Sequence, residues 1–146
     1  MFEALYEEKM SYIDDYSSCS RTYATLLIYT GEVPPDEVTR ILGIPPTTIS
    51  IAADIPRKKV NGWFLSSQDI IESKDSRRHI DYIIEVVSPV KDRIGQLQSR
   101  GFQIGVLCFW ESATGNGGPT LSPNQMKELG QLNLELSWDI WFADSE

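Results

Sequence analysis

The sequence predicts an α+β fold: a four- to five-stranded mixed or antiparallel sheet, ferredoxin-like in topology, with helices packed on one face. Three observations predict it. Strand-like alternation is separated by segments of helical period, the 146 residues match one domain, and a strand–loop–helix–strand phrase occurs twice. The first copy runs from Tyr23 to Tyr29, through Pro34-Pro35-Asp36-Glu37-Val38 to Gly43, and on to Gly62-Trp63-Phe64-Leu65. The second runs from Phe102 to Trp110, through Ser122-Pro123-Asn124-Gln125-Met126 to Gly130, and closes on Leu134 to Phe142. Pro35 and Pro123 each suit a first helical position, and Val38 with Ile41 matches Met126 with Leu129. The copies read either as a βαβ duplication or as two solutions to one turn problem.

In chain order, Phe2, Leu5, Tyr6, Met10 and Ile13 recur at steps of three and four, an amphipathic helix that Ser17-Ser18-Cys19-Ser20 breaks. Residues 1–20 are thus a helical extension ahead of an α+β core over 22–143, in a single domain. After the first strand, Gly31 and Val33-Pro34 turn the chain into a helix ending at Gly43. Pro45-Pro46 forbids helix in the stretch Ile44 to Ile51, which reads as an edge strand or loop. Arg57-Lys58-Lys59 reads as a solvated loop, Asn61-Gly62 as a turn, and Trp63 to Ser67 as a short strand. His79, Ile80, Ile83, Ile84 and Val87 form a helical stripe capped by Asp75 or Ser76. A second stripe of Val90, Ile94 and Leu97 follows a kink at Pro89, and Gly101 stops the helix.

Alternation separates two sheet faces. Ala24, Leu26 and Ile28, with Phe102, Ile104, Val106, Cys108 and Trp110 and then Leu134, Leu136, Trp138, Ile140 and Phe142, mark the helix-facing core. Tyr23, Thr25, Leu27 and Tyr29, with Gln103, Leu107, Phe109 and Glu111 and then Glu135, Ser137, Asp139 and Trp141, mark a face that is half aromatic and half acidic. Such a face is an interaction surface, or it is covered by the N-terminal helix or a second subunit. Among the tryptophans, Trp110 and Trp138 are expected in the core and Trp63 and Trp141 at the surface.

Composition narrows the function. Hydrophobic residues at 41% and charged residues at 23% suit a soluble protein, and no apolar run is long enough for a membrane span. The start is acidic where a signal peptide would be basic, which places the chain in the cytoplasm. Thirteen basic against 21 acidic residues give a net charge of -8, which repels nucleic acid and suits a basic protein partner. Cys19 and Cys108 have no metal-ligand spacing and are not expected to form a disulfide; no metal or cofactor is expected. His79 has no nucleophile placed near it by any motif, and Glu111, Glu135 and Asp139 read as solvated acids, so no catalytic residue is assigned. The loop Ser112 to Thr120 is glycine-rich but fits neither a phosphate-binding nor a dinucleotide fingerprint. It either closes a strand–helix connection or acts in recognition.

Several of these phrases together resemble a known family. Ala24-Thr25-Leu26-Leu27-Ile28-Tyr29, the helix Glu37 to Gly43, Gly62-Trp63, and Cys108-Phe109-Trp110 leading into Gly115-Asn116-Gly117-Gly118 and Leu121-Ser122-Pro123 are similar to the bacterial domain of unknown function 4279. The resemblance covers about residues 22 to 143 and departs at Pro45-Pro46. It implies a compact α+β domain with no established reaction, so no catalytic residue carries over. The resulting expectation is a non-enzymatic protein-binding module of immunity or accessory type. Its candidate binding residues are Trp63, Trp110, Glu111, Thr114, Asn116, Ser122, Asp139 and Trp141. The alternative is a small-ligand or enzymatic pocket under loop 112–120, lined by Trp110, Glu111, Asn116 and Ser122. Self-association through the free sheet face is a further expectation.

Overall fold

The computed structural model describes residues 11–52 and 60–143. Its centre is β1 (Cys19–Gly31), paired antiparallel with β3 (Asn61–Ser66) on one side and with β4 (Gln103–Ser112) on the other. The short β2 (Thr48–Ser50) adds antiparallel to β3, and β5 (Glu135–Phe142) adds parallel to β4, giving the order β2-β3-β1-β4-β5. Between them run α1 (Asp36–Leu42), α2 (Ser76–Val87), a 3₁₀ turn (Ser88–Val90), α3 (Lys91–Ser99) and α4 (Pro123–Gln131). The fold class is the expected one, a mixed five-stranded α+β sheet. Its first four strands follow the split-βαβ order of ferredoxin-like sheets, and α4 with β5 extends that unit.

Local chemistry sets the helix ends. Asp75 caps α2 by accepting the Arg77 amide, and Pro89 interrupts the helix where its missing donor forces a 3₁₀ turn. Gly101, at φ 85°, takes the left-handed conformation that ends α3. Ser122 and Gln125 close a reciprocal capping box on α4 with Pro123 in its first turn, whereas Pro35 sits one place earlier than expected, at the N-cap of α1. The two similar phrases take different forms. The unit β1–α1–β2 straddles β3, while β4 and β5 are direct neighbours. Their helices also bury different registers, Val38 and Leu42 in α1 against Gln125 and Leu129 in α4, with Met126 exposed. The structure therefore does not confirm the duplication.

The helices pack on one face. Ala24, Leu26 and Ile28 of β1 and Val106 and Cys108 of β4 are buried beneath Val38, Leu42, Ile80, Ile83, Val87, Ile94, Leu97 and Leu129. Four expectations are corrected here. Trp63 is fully buried, because its register opposite Ile28 turns it onto the helix side, where its indole N–H donates to Thr39 Oγ1 at 3.0 Å. Trp138, Ile140 and Phe142 lie on the helix side yet remain 38%, 45% and 68% exposed. Length contributes: the nine residues of α4 rise about 13 Å, while the eight of β5 extend about 26 Å, so α4 is too short to cover the whole strand. Finally, Ser17 to Ser20 is not simply a breaker, since β1 already begins at Cys19, and Asn61-Gly62 belongs to a strand rather than a turn. The helix expected over Phe2 to Met10 and the loop Arg57 to Lys59 lie outside the described residues; Ile13 is in non-helical backbone. No helix among the described residues is long and apolar enough to cross a membrane.

Candidate functional site

The outer face of the sheet, opposite the helices, carries the first candidate site. Strand register lines up Arg21, Glu111 and Trp141 in one row and Tyr23, Phe109 and Asp139 in the next. Tyr23 stacks on Phe109 at 4.9 Å between ring centroids, and the Arg21 guanidinium lies 5.0 Å from the same ring. Ser20 donates to Glu111 at 2.5 Å and the Trp141 indole donates to Asp139 at 2.8 Å. Lower on the face, Gly105 stands between Leu27 and Glu135. Its missing side chain opens a trough of about 480 Å³ lined by Leu27, Tyr29, Gln103, Leu107, Glu135 and Ser137. The sequence listing of this face is correct in every residue, but the trough went unseen; a glycine inside a strand was its signal.

The glycine-rich loop is held mainly by its own hydrogen bonds. Ser112 Oγ donates to the Asn116 carbonyl and accepts the Gly115 amide, and Thr114 Oγ1 donates to Asn116 Oδ1 at 2.6 Å. Gly117, at φ 79°, presses so close to the preceding segment that an added Cβ would lie 2.6 Å from Ser18 Cβ. Ser76 then pins the loop to α2 by exchanging two hydrogen bonds with the Thr120 backbone. Beneath is a cavity of about 250 Å³ lined by Tyr16, Asp75, Arg77, Trp110, Gly118 and Thr120 among others. Trp110 is buried there, and its indole N–H has no acceptor among the described residues.

A polar network forms one side of this cavity. Asp75 accepts from the Ile13 amide at 2.8 Å and from the Arg77 guanidinium at 2.6 Å. Burial alone would raise its carboxyl, but the Arg77 side chain and the two amides outweigh that and hold it below the ordinary aspartate range. Asp81 is different. Burial pushes its carboxyl up, against the lowering effect of hydrogen bonds from Tyr12 and Gln125. Together these bonds strap residues 11–16 across the start of α2.

A third concavity, about 600 Å³, lies at the end of the sheet between Ser20 to Tyr23 and the loop Gln68 to Lys74, with His79 among its lining residues. His79 is fully buried. Its Nε2 donates to the Ser73 carbonyl at 2.8 Å, which leaves Nδ1 to accept the Ser67 hydroxyl at 2.6 Å, while Ser67 Oγ accepts the Ala24 amide. Both ring nitrogens are engaged, and burial lowers the imidazole pKa, so His79 is a neutral staple between β1, the loop and α2. Burial also raises the thiols of Cys19 and Cys108, to about 11 and about 12, which keeps both protonated and unreactive. Among the described residues no group of three or more His, Cys, Asp or Glu could hold a metal ion.

The candidate binding residues are therefore dispersed. Glu111, Asp139 and Trp141 share the outer face, and Trp110 lines the cavity on the opposite side. Thr114 and Asn116 are at the exposed loop tip, Ser122 is spent as a helix cap, and Trp63 belongs to the core. The pocket expected from Trp110, Glu111, Asn116 and Ser122 does not assemble from those four, because successive strand residues point to opposite faces. Tyr16 and Arg77, which do line the cavity, come from segments that only folding brings together.

No curated protein and no solved structure matches the chain. The sequence profile described as "Domain of unknown function (DUF4279)" matches residues 20–143, which include, among the described residues, all five strands except the first residue of β1 and all four helices. On that match, the chain belongs to the DUF4279 family.

Proposed function

We propose that the chain is a non-enzymatic protein-binding module that docks a basic segment of its partner on the outer sheet face. The observation that carries this reading is the trough at Gly105, which Glu135, Tyr29 and Leu27 line together. An arginine or lysine side chain fits that chemistry, its stem against the apolar residues and its head at the carboxylate. Glu111, Glu135 and Asp139 outnumber Arg21 on the face, and the net charge of -8 steers a cation toward it. An NMR titration with a short arginine-rich peptide tests the reading. Shifts are expected to cluster at Leu27, Tyr29, Gly105 and Ser137, to weaken as salt rises, and to vanish in Glu135→Lys. Shifts spread evenly over the acidic surface, or unchanged by that substitution, overturn it.

One observation favours a second reading. The Trp110 N–H, which has no acceptor among the described residues, borders a 250 Å³ cavity and suits a small neutral ligand offering a hydrogen-bond acceptor. In a thermal-shift panel of neutral metabolites, a ligand at 100 times its dissociation constant adds about 2.7 kcal/mol to the wild type, and Trp110→Phe loses most of that gain. A flat response across the panel removes this reading.

A further inference from the structure

We infer that β5 is a dimerisation edge, on which a second copy of the chain pairs antiparallel to extend the sheet to ten strands. Among the described residues nothing pairs with the far side of β5. Natural sheet edges are protected by shortness, proline, lysine or bulges. The opposite edge, β2, fits that rule, with three residues directly after Pro45-Pro46-Thr47. β5 breaks it: eight residues, no proline, no lysine, and Trp138, Ile140, Trp141 and Phe142 between 38% and 68% exposed.

The backbone is available as well. The Ala143 amide donates to the Ser112 carbonyl of β4, so the residues at that phase of the strand point inward and the alternate ones, Leu136, Trp138 and Ile140, present N–H and C=O groups outward. A twofold axis requires the edge to match itself. Of the in-phase registers, the one centred on Trp138 pairs seven of the eight residues: Leu136 meets the second copy's Ile140, Ser137 its Asp139 and Glu135 its Trp141. No carboxylates are opposed. A register centred on Asp139 sets Asp139 against itself, and one centred on Ser137 sets Glu135 against Asp139; both cost like-charge repulsion. The four exposed apolar side chains supply roughly 400 Å² per protomer, and with the strand backbone the pair approaches the ~1,200 Å² of a stable interface.

The pairing uses the backbone edge of β5, whose Glu135 and Ser137 also line the trough of the docking reading. Salt separates the two. Two copies of charge -8 repel, so dimerisation tightens as salt rises, whereas docking of a basic segment weakens. Sedimentation of the full chain is expected to show twice the 16.5 kDa monomer mass at high concentration. Trp138→Lys is expected to keep the fold and weaken association at least about 100-fold, as for a central hot-spot residue. Mixing Ser137→Cys with Asp139→Cys protein is expected to trap a mixed disulfide more readily than either variant alone, the native thiols being buried. A monomer at every concentration and salt, a dimer undiminished by Trp138→Lys, or trapping of Ser137→Cys with itself in preference to the mixture overturns the inference.

Discussion

At the residue scale, His79 and Asp75 each cost stability as acid protonates them, while Asp81, whose carboxyl burial raises, takes up its proton in the folded state first and offsets part of that loss. His79 is held neutral, its pKa lowered from an ordinary value near 6.5 by burial. The unfolded chain takes up that proton first, so stability is complete above about pH 6.5 and falls as the pH drops toward the lower folded-state value. Asp75, held below its ordinary 3.8, acts later: its contribution is present above that value and is lost as the carboxyl is protonated in the folded state. Acid unfolding should therefore show two declines. In His79→Gln, whose amide can still donate to Ser73 and accept from Ser67, the first is expected to disappear and the second to persist. Urea titrations between pH 7 and 3 check this. A wild type with flat stability through pH 6.5 to 5 contradicts the assignment.

At the scale of elements, the glycine-rich loop is a built structure rather than slack chain. Gly117 combines a left-handed backbone with a 2.6 Å approach to Ser18 Cβ, whereas Gly118 has open space around its missing Cβ. Gly117→Ala is expected to lose about 1–3 kcal/mol of unfolding free energy, and Gly118→Ala to change it by less than about 0.5 kcal/mol, by urea denaturation. Equal effects would show that the loop is not seated against Ser18. Which elements the sequence disclosed depended on how local their cause was. The pair α2 and α3, kinked at Pro89, was legible because a cap, a proline and a glycine lie within the segment itself. The faces of β1 and β4 were legible from alternation alone. The exposure of β5 was not, since alternation fixes the side a residue points to but not whether a helix is long enough to lie over it. Nor was Trp63, whose side depends on pairing with Ile28 thirty-five residues earlier. The cavity failed to show for the same reason: Tyr16, Arg77 and Trp110 are neighbours only after the sheet and α2 have packed.

At the scale of the whole molecule, the sheet is one-sided: helices cover one face, while the other presents stacked aromatics, acids and a glycine-floored trough. The proposed docking and pairing surfaces meet at Glu135 and Ser137 of β5, and their opposite salt dependences tell the two apart. The four tryptophans extend that separation to spectroscopy. Trp63 is sealed in the core with a bonded indole, Trp110 borders the cavity, Trp138 lies on the strand edge and Trp141 on the outer face. Single-tryptophan variants would thus give each compartment its own fluorophore: an aqueous quencher reaches Trp141 and Trp138 but not Trp63, and a second copy on β5 shields Trp138 foremost. The chain carries its own optical reporters of which surface is occupied.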